Sequence, residues 1–330
     1  MSDFINHYRC GQEALATVDS NTRNIIVKNR VLFNLGCQGP DFFLYHGIVP
    51  WKKDHGFAQY AQWIHQGPSN KLFHSMAHFY YTLKDPSHKN KAIAYILGYL
   101  CHHTLDAITH PFVFYFSGLD AHLHKEYEMA LDVLNAQHQG YPPAYQFNFN
   151  ELYSLDPLDI TIIQNIHHHI LSSIWEMMMP ESAVPTCLKD MAFLTRLFPD
   201  PTGLKRRVAK SIESIINRPH IFSKAFLNKS YPDLDDYMNL TRQIWCHPCN
   251  AHLTYNFSYP DLYHQSVQSA AKKLVDFSTI IQNTDYQDEG LERQIAGIIK
   301  NSSFETGEVF SYENLVNTIP MKHFQPKRFF

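Results

Sequence analysis

Long apolar runs are missing from this chain. The longest, AIAYILGYLC from Ala92 to Cys101, is about half the length that a membrane span requires and ends in His102 and His103. It reads as a buried helix. An excess of either charge is missing too: 28 basic and 31 acidic residues leave a formal net charge of -3, spread without long runs. That removes the broad basic footprint of a duplex nucleic-acid binder. The opening MSDFINHYRCGQEAL has no basic region followed by an apolar stretch, so no secretory signal is visible and a cytoplasmic location is expected. Six cysteines include a single CxxC, CHPC, and no second one to complete a four-cysteine zinc site, so Cys246 and Cys249 read as ordinary thiols. Internal repeats and low-complexity segments are also absent. What remains is a globular chain of 330 residues, 45% hydrophobic, sufficient for one large core or two ordinary domains.

Helical spacing dominates the pattern, with apolar positions at three- and four-residue intervals over 4–18, 22–34, 56–65, 70–84, 89–116 and 120–136. Further helical segments fall at about 159–179, 186–198, 203–217, 261–282 and 291–301. Alternating strand patterns are scarce. Breakers mark the joints: GCQGPD at 36–41, QGPSN at 66–70, DPSH at 85–88 and a long Tyr-, Pro- and Asn-rich loop around 137–157. Because both sides of that loop are helical and the loop is aromatic, unlike a flexible linker, the expectation is one all-α unit. Its metal-binding half would span 1–136, followed by a helical C-terminal elaboration over about 158–330.

The surplus is histidine, 21 in all, and the densest stretch is GYLCHHTLDAITHPF at 98–112. On a helix, His102, Asp106 and His110 form one ladder: each four-residue step adds about 40°, so the three share a sector of about 80°. Their Cα atoms span about 12 Å, too far for one zinc with bonds of about 2 Å to gather them all. A cluster of ions about 3.5–4 Å apart fits better, with His102 on one ion, His110 on another and the Asp106 carboxylate bridging. His103 is rotated about 100° off the ladder and belongs to packing or to a supporting role. Pro111 disfavours helical backbone at His110, which predicts a kink or helix end there. A histidine in an apolar helix is most often a hydrogen-bonded core residue. An ionised aspartate buried beside two imidazoles without a cation, however, would cost several kcal/mol.

A second ladder follows in HLHKEYEMALD, where His124 and Glu128 share a face one turn apart. Adjacent helices joined by a short turn tend to pack, so His110, His124 and Glu128 could close one site. Upstream candidates are His7 in the first helix, Asp41 in GPDFF and His65 before QGPSN. A Pro-Asp pair is commonly a turn or cap, and for His65 the competitors His55, His74 and His78 are not separated by spacing alone.

Taken together and in order, His7, GCQGPD, GYLCHHTLDAITHPF and HKEYEMALD resemble the zinc-dependent phospholipase C family, which is related to the single-strand-specific zinc nucleases. The resemblance covers about residues 1–135 well and the remainder only through weaker features such as NSSFETG at 301–307. It implies an all-α fold with a cluster of two or three zinc ions. Asp41, His65, His102 and Asp106 would hold one ion, His110, His124 and Glu128 a second, and His7 with Asp106 a third. Secreted members begin, after processing, with a tryptophan whose amine and carbonyl bind the third ion. Here the chain begins Met1-Ser2, which leaves those positions to water or to the Ser2 amine. The implied chemistry is hydrolysis of a phosphodiester, with zinc lowering the pKa of water, Asp41 orienting or deprotonating it and Asp106 setting the separation of the ions.

Other runs receive plainer readings. Lys52 and Lys53 could meet a phosphate or an acidic membrane surface, although two adjacent lysines are usually a solvated loop. HHH at 167–169 points three ways around a helix with no carboxylate one turn away, and WEMMMP at 175–180 looks like adaptable packing that could also touch lipid or a partner. Three functions therefore compete: a zinc phosphoesterase acting on a phospholipid or related phosphodiester, a nuclease acting on single strands through a base-stacking pocket, and a non-catalytic metal-binding scaffold.

Overall fold

The computed structural model describes residues 4–48, 52–217, 222–229, 236–283 and 290–309. Among these the fold is all-α, as the helical spacing implies. The N-terminal half contains α1 (Phe4–Thr17), α2 (Ser20–Lys28), α3 (Arg30–Gly36), α4 (Ala58–Gln66), α5 (Ser69–Thr82), α6 (Pro86–Ser117) and α7 (Ala121–His138). A 3-10 turn, Asp41–Tyr45, lies between α3 and α4. Then follow α8 (Pro157–Trp175), α9 (Ala183–Thr195), α10 (Leu204–Ile215), α11 (Tyr259–Asn283) and α12 (Leu291–Ile299). The sheet content is two small pairs: β1 (Pro199–Asp200) runs parallel to β2 (Leu227–Asn228), and β3 (Trp245–His247) is antiparallel to β4 (Asn250–Tyr255).

Helix α6 is the axis of the molecule, buried on nearly every side from Ala92 to Ser117 and enclosed by its neighbours. It starts on Asp85, whose carboxylate accepts from the Ser87 and His88 amides, and ends at Gly118 with φ 76°. Helices α3, α11, α1, α7 and α8 all pack on it. The α3 crossing is close enough to require glycine on both sides: a Cβ on Gly36 would fall 2.2 Å from the Tyr95 carbonyl oxygen, and one on Gly98 would fall 2.1 Å from that of Phe33.

The helix end expected at His110 does not occur, because α6 runs through Pro111 to Ser117. Pro111 cannot donate to the Ala107 carbonyl four residues back. The backbone of Gly307, at φ +69°, packs on that freed oxygen, where a Cβ would approach to 2.0 Å. The helix expected over 22–34 is instead divided at Asn29, with φ -126° and ψ 38°, whose side chain donates to the Ile25 carbonyl at 3.1 Å. Asparagine competes well for such a local bond and ends α2 there.

The aromatic loop before α8 is stitched to the helices: Phe149 packs edge-on against Phe4, with centroids 5.7 Å apart, and Tyr8 donates to Glu151. CHPC lies on the β3–β4 hairpin, and no third histidine, cysteine or carboxylate joins Cys246 and Cys249 among the described residues. Nor does any described helix have the length and apolarity to cross a membrane.

Candidate metal centre

Four segments converge on the buried side of α6. Helix α1 brings His7, and its start is fixed by Asp132 of α7, which accepts from the Ile5 and Asn6 amides at 3.1 and 2.8 Å. Gln38 of GCQGPD donates to the Phe4 carbonyl at 3.2 Å, holding the same end from the other side. The turn after α3 brings Asp41 on its first residue, and the last turn of α4 brings His65. Helix α6 supplies His102, Asp106 and His110 one turn apart, and α7 supplies His124 and Glu128.

Asp106 is the centre of this arrangement. Its Oδ1 faces His7 Nε2 at 3.1 Å and His110 Nε2 at 3.8 Å, while Oδ2 faces His102 Nε2 at 3.0 Å and His65 Nε2 at 4.0 Å. Asp41 Oδ1 lies 3.2 Å from His65 Nε2, and Glu128 Oε1 lies 3.2 Å from both His110 Nε2 and His124 Nε2. Three groups have ligand atoms within 4.8 Å of one another: His7, His102 and Asp106; Asp41, His65 and His102; His110, His124 and Glu128. All eight side chains singled out in the sequence therefore meet in one place. His102 belongs to two of the groups, a sharing that helix periodicity does not reveal. Of the four histidines that competed for the α4 position, His65 reaches the cluster, whereas His55 stacks on His46 and His78 pairs with His169 at 2.9 Å. The Ser2 amine lies outside the described residues.

The electrostatics follow from this crowding. Burial pushes the Asp106 carboxyl up, but His102, His110 and His7 outweigh it and hold the group well below the usual carboxylate range. Burial acts likewise on Asp41 and Glu128, and is overcome by His102 and His65 in the first case and by His124 and His110 in the second. The balance favours the ionised form of all three carboxylates in a site shielded from solvent: Asp106 is only 2% exposed and His102 is fully buried. Exposure rises to between 11% and 15% at His65, His110 and His124, so the cluster opens toward solvent on that side.

Several donor atoms have no hydrogen bond in spite of full burial: Asp41 Oδ1, His65 Nε2, both His102 ring nitrogens, Asp106 Oδ2 and Glu128 Oε2. Buried polar atoms are rarely left this way, and here they converge. Two of the outer ring nitrogens are held. His110 Nδ1 pairs with the Phe304 carbonyl at 2.7 Å, and His124 Nδ1 is 3.4 Å from Ser117 Oγ, which leaves each Nε2 aimed at the site. A backbone carbonyl on the outer nitrogen of an inward-facing histidine is the usual support for a metal ligand, and imidazole with carboxylate is a zinc-type donor set.

His103 faces away, as the ladder geometry requires. Its Nε2 pairs with the Ser302 carbonyl at 2.7 Å, and burial pushes its pKa down to about 3. Ser302 and Phe304 belong to a C-terminal loop that closes over the cluster. The Phe304 ring packs on His65, His102 and His103, and Glu305 lies near enough for its charge to raise the pKa of His65 and His110. NSSFETG is visible in the sequence, but nothing local to it announces these contacts.

The HHH run and Lys52 engage other parts of the fold. His167 pairs with Tyr95 in the core, His168 with the Met179 carbonyl and His169 with His78, so HHH does point three ways. Lys52 donates to Asp190, which also holds His46 Nδ1 at 2.9 Å. In WEMMMP, Met179 is buried while Met178 remains exposed.

Residues 6–184 match the family described as zinc dependent phospholipase C. No curated protein and no solved structure gives a significant match. The matched span contains every one of the eight converging side chains and more than half of the chain, which therefore belongs to the zinc-dependent phospholipase C family.

Proposed function

We propose that the chain is a hydrolase of phospholipid phosphodiesters that works through a multinuclear zinc cluster. The observation that carries this reading is Asp106, a buried carboxylate with two imidazoles facing each of its oxygens. Asp41, His65, His102 and Asp106 would hold one ion, His110, His124 and Glu128 another, and His7 with Asp106 a third. Zinc bound there supplies Lewis acidity, which brings the pKa of water toward neutrality and takes up negative charge on a phosphoryl group.

The chain's own residues supply the rest. Asp41 is held ionised by His102 and His65, which suits it to orient the attacking water as a hydrogen-bond acceptor. Substrate enters on the side where His65, His110 and His124 are partly exposed. Glu305 adds negative charge near His65 and His110, which suits a head group carrying a cation beyond its phosphate.

The test is zinc content per chain together with turnover of a chromogenic phosphodiester and of phosphatidylcholine, for wild type and Asp106→Ala. Zinc in the wild type, chelator-sensitive turnover and loss of both in the variant are expected. A wild type without zinc, or a variant with unchanged metal and activity, would sink the reading. Cleavage of single-stranded DNA in place of the lipid would assign the cluster to a nuclease.

A further inference from the structure

Helix α10 has its polarity reversed for a surface helix. Such a helix ordinarily turns an apolar stripe to the core and its charges to solvent. Here the inward side holds Arg206, Ala209 and Glu213. Arg206 pairs with Glu126, and Glu213 accepts from the Phe222 and Ser223 amides at 2.6 and 2.7 Å. The outward side holds Leu204, Val208, Ile212 and Ile215, which are 58%, 51%, 48% and 83% exposed. At about 100° per residue these four share a sector of about 80°. Leu204, Val208 and Ile212 line an open apolar groove of about 460 Å3 with Phe222 and Phe226.

Charge frames this stripe. Lys205 and Arg207 project on either side of it, and their side chains donate to the carbonyls of Leu197, Pro199, Gly203 and Thr202, groups that leave the positive charge uncancelled. An apolar stripe edged by cations is the pattern of a helix that lies in the boundary between acyl chains and anionic head groups. The same region touches α7, the helix that carries His124 and Glu128. The turn Ser223–Ala225 packs on both α10 and α7, and its Lys224 Nζ lies 2.7 Å from His122 Nδ1, two residues before His124.

We propose that the outward face of α10 docks the protein on a bilayer containing anionic phospholipid. The helix lies beyond residues 6–184, so the surface belongs to the part of the chain that the family match leaves out. Its purpose rests on the phospholipid reading above, but its binding does not depend on hydrolysis.

Flotation of the full chain with vesicles of phosphatidylcholine, with and without phosphatidylserine, tests this for the protein as purified and after chelator treatment. Binding to the phosphatidylserine vesicles is expected in both states and should weaken as salt is raised. Ile212→Glu and Ile215→Glu should each lower the bound fraction at least about tenfold, the scale of one buried apolar side chain. Unchanged melting temperatures and zinc contents would show both variants folded, and Ile215 is exposed enough to carry the test alone. Variants that float like wild type, or a wild type that ignores both vesicles, would overturn the proposal. So would a concentration-dependent dimer that Ile215→Glu dissolves while vesicles are ignored, since the occupant would then be a second copy. Equal binding to phosphatidylcholine alone would overturn its electrostatic part. Binding without any lipid turnover would leave docking standing and remove the enzymatic reading.

Discussion

Gly39 forms the floor beneath His102. It sits at φ +53°, and a Cβ built on it would fall 2.1 Å from His102 Cδ2 and 2.5 Å from Nε2. Gly39→Ala therefore adds left-handed strain of about 1–2 kcal/mol to a clash with an imidazole that is fully buried. The ring must move, and it is the imidazole shared by two of the three groups. Zinc per chain and turnover should both fall, and the melting temperature with them. Unchanged zinc and turnover would mean that His102 is held by something other than this contact.

Glu128→Gln addresses the far end of the ladder alone. Glu128 faces His110 and His124, while Asp41 pairs with His65, and Asp106 has its shortest contacts to His102 and His7. The amide keeps the shape but loses the charge, so one zinc equivalent should leave while the metal around Asp106 stays. Titration with a competing chelator would count the ions. Simultaneous loss of all of them would show that the groups bind as one unit.

Acid should loosen the core at His167. Its imidazole is buried among Phe42, Phe43, Tyr95 and Tyr99, and burial pushes its pKa from the ordinary 6.5 down to about 3. Below pH 6.5 the unfolded chain gains a proton that the folded protein refuses until about pH 3. Stability from this group is thus complete above pH 6.5 and declines as pH falls through that window, by about 2 kcal/mol at pH 5. Other histidines titrate as well, so the measurement is a difference: urea melts of wild type and His167→Phe at pH 7 and pH 5. The variant should lose less stability between the two. Equal losses would show that His167 does not govern this acid response.

What the sequence revealed and what it concealed divide along one physical line. His102, Asp106 and His110, or His124 and Glu128, are one turn apart, and helix geometry alone puts them on a common face. Asp41 and His65 are fixed by packing between separate elements, so their arrival at the cluster was legible only through resemblance to a family. The sharing of His102 by two groups depends on where α1 and α4 come to rest. The continuity of α6 through Pro111 depends on Gly307, nearly two hundred residues away, which packs on the carbonyl that proline leaves without a donor. The reversed polarity of α10 is present in the spacing of Leu204, Val208, Ile212 and Ile215, but periodicity gives a stripe and not its direction. Only the inward bonds of Arg206 and Glu213 show which side faces out.

The C-terminal loop makes the last prediction, because it tests whether residues outside the matched span shape the site. Phe304 is fully buried, with ring centroids 5.2 Å from His65, 5.9 Å from His102 and 4.6 Å from His103. Phe304→Ala should cost about 3–5 kcal/mol through lost burial and the cavity left behind. The main-chain carbonyl that orients His110 survives the change, so the effect falls on the rings that the phenyl group walls in. His65 and His102 gain freedom, and zinc affinity should drop about tenfold or more, the low end of what loss of a supporting group costs a metal site. Phe304→Leu refills much of the space and should recover part of both. Denaturant melts and chelator competition on the same three proteins separate the outcomes. If stability falls while zinc affinity holds, Phe304 is a core residue only and the loop does not shape the metal centre.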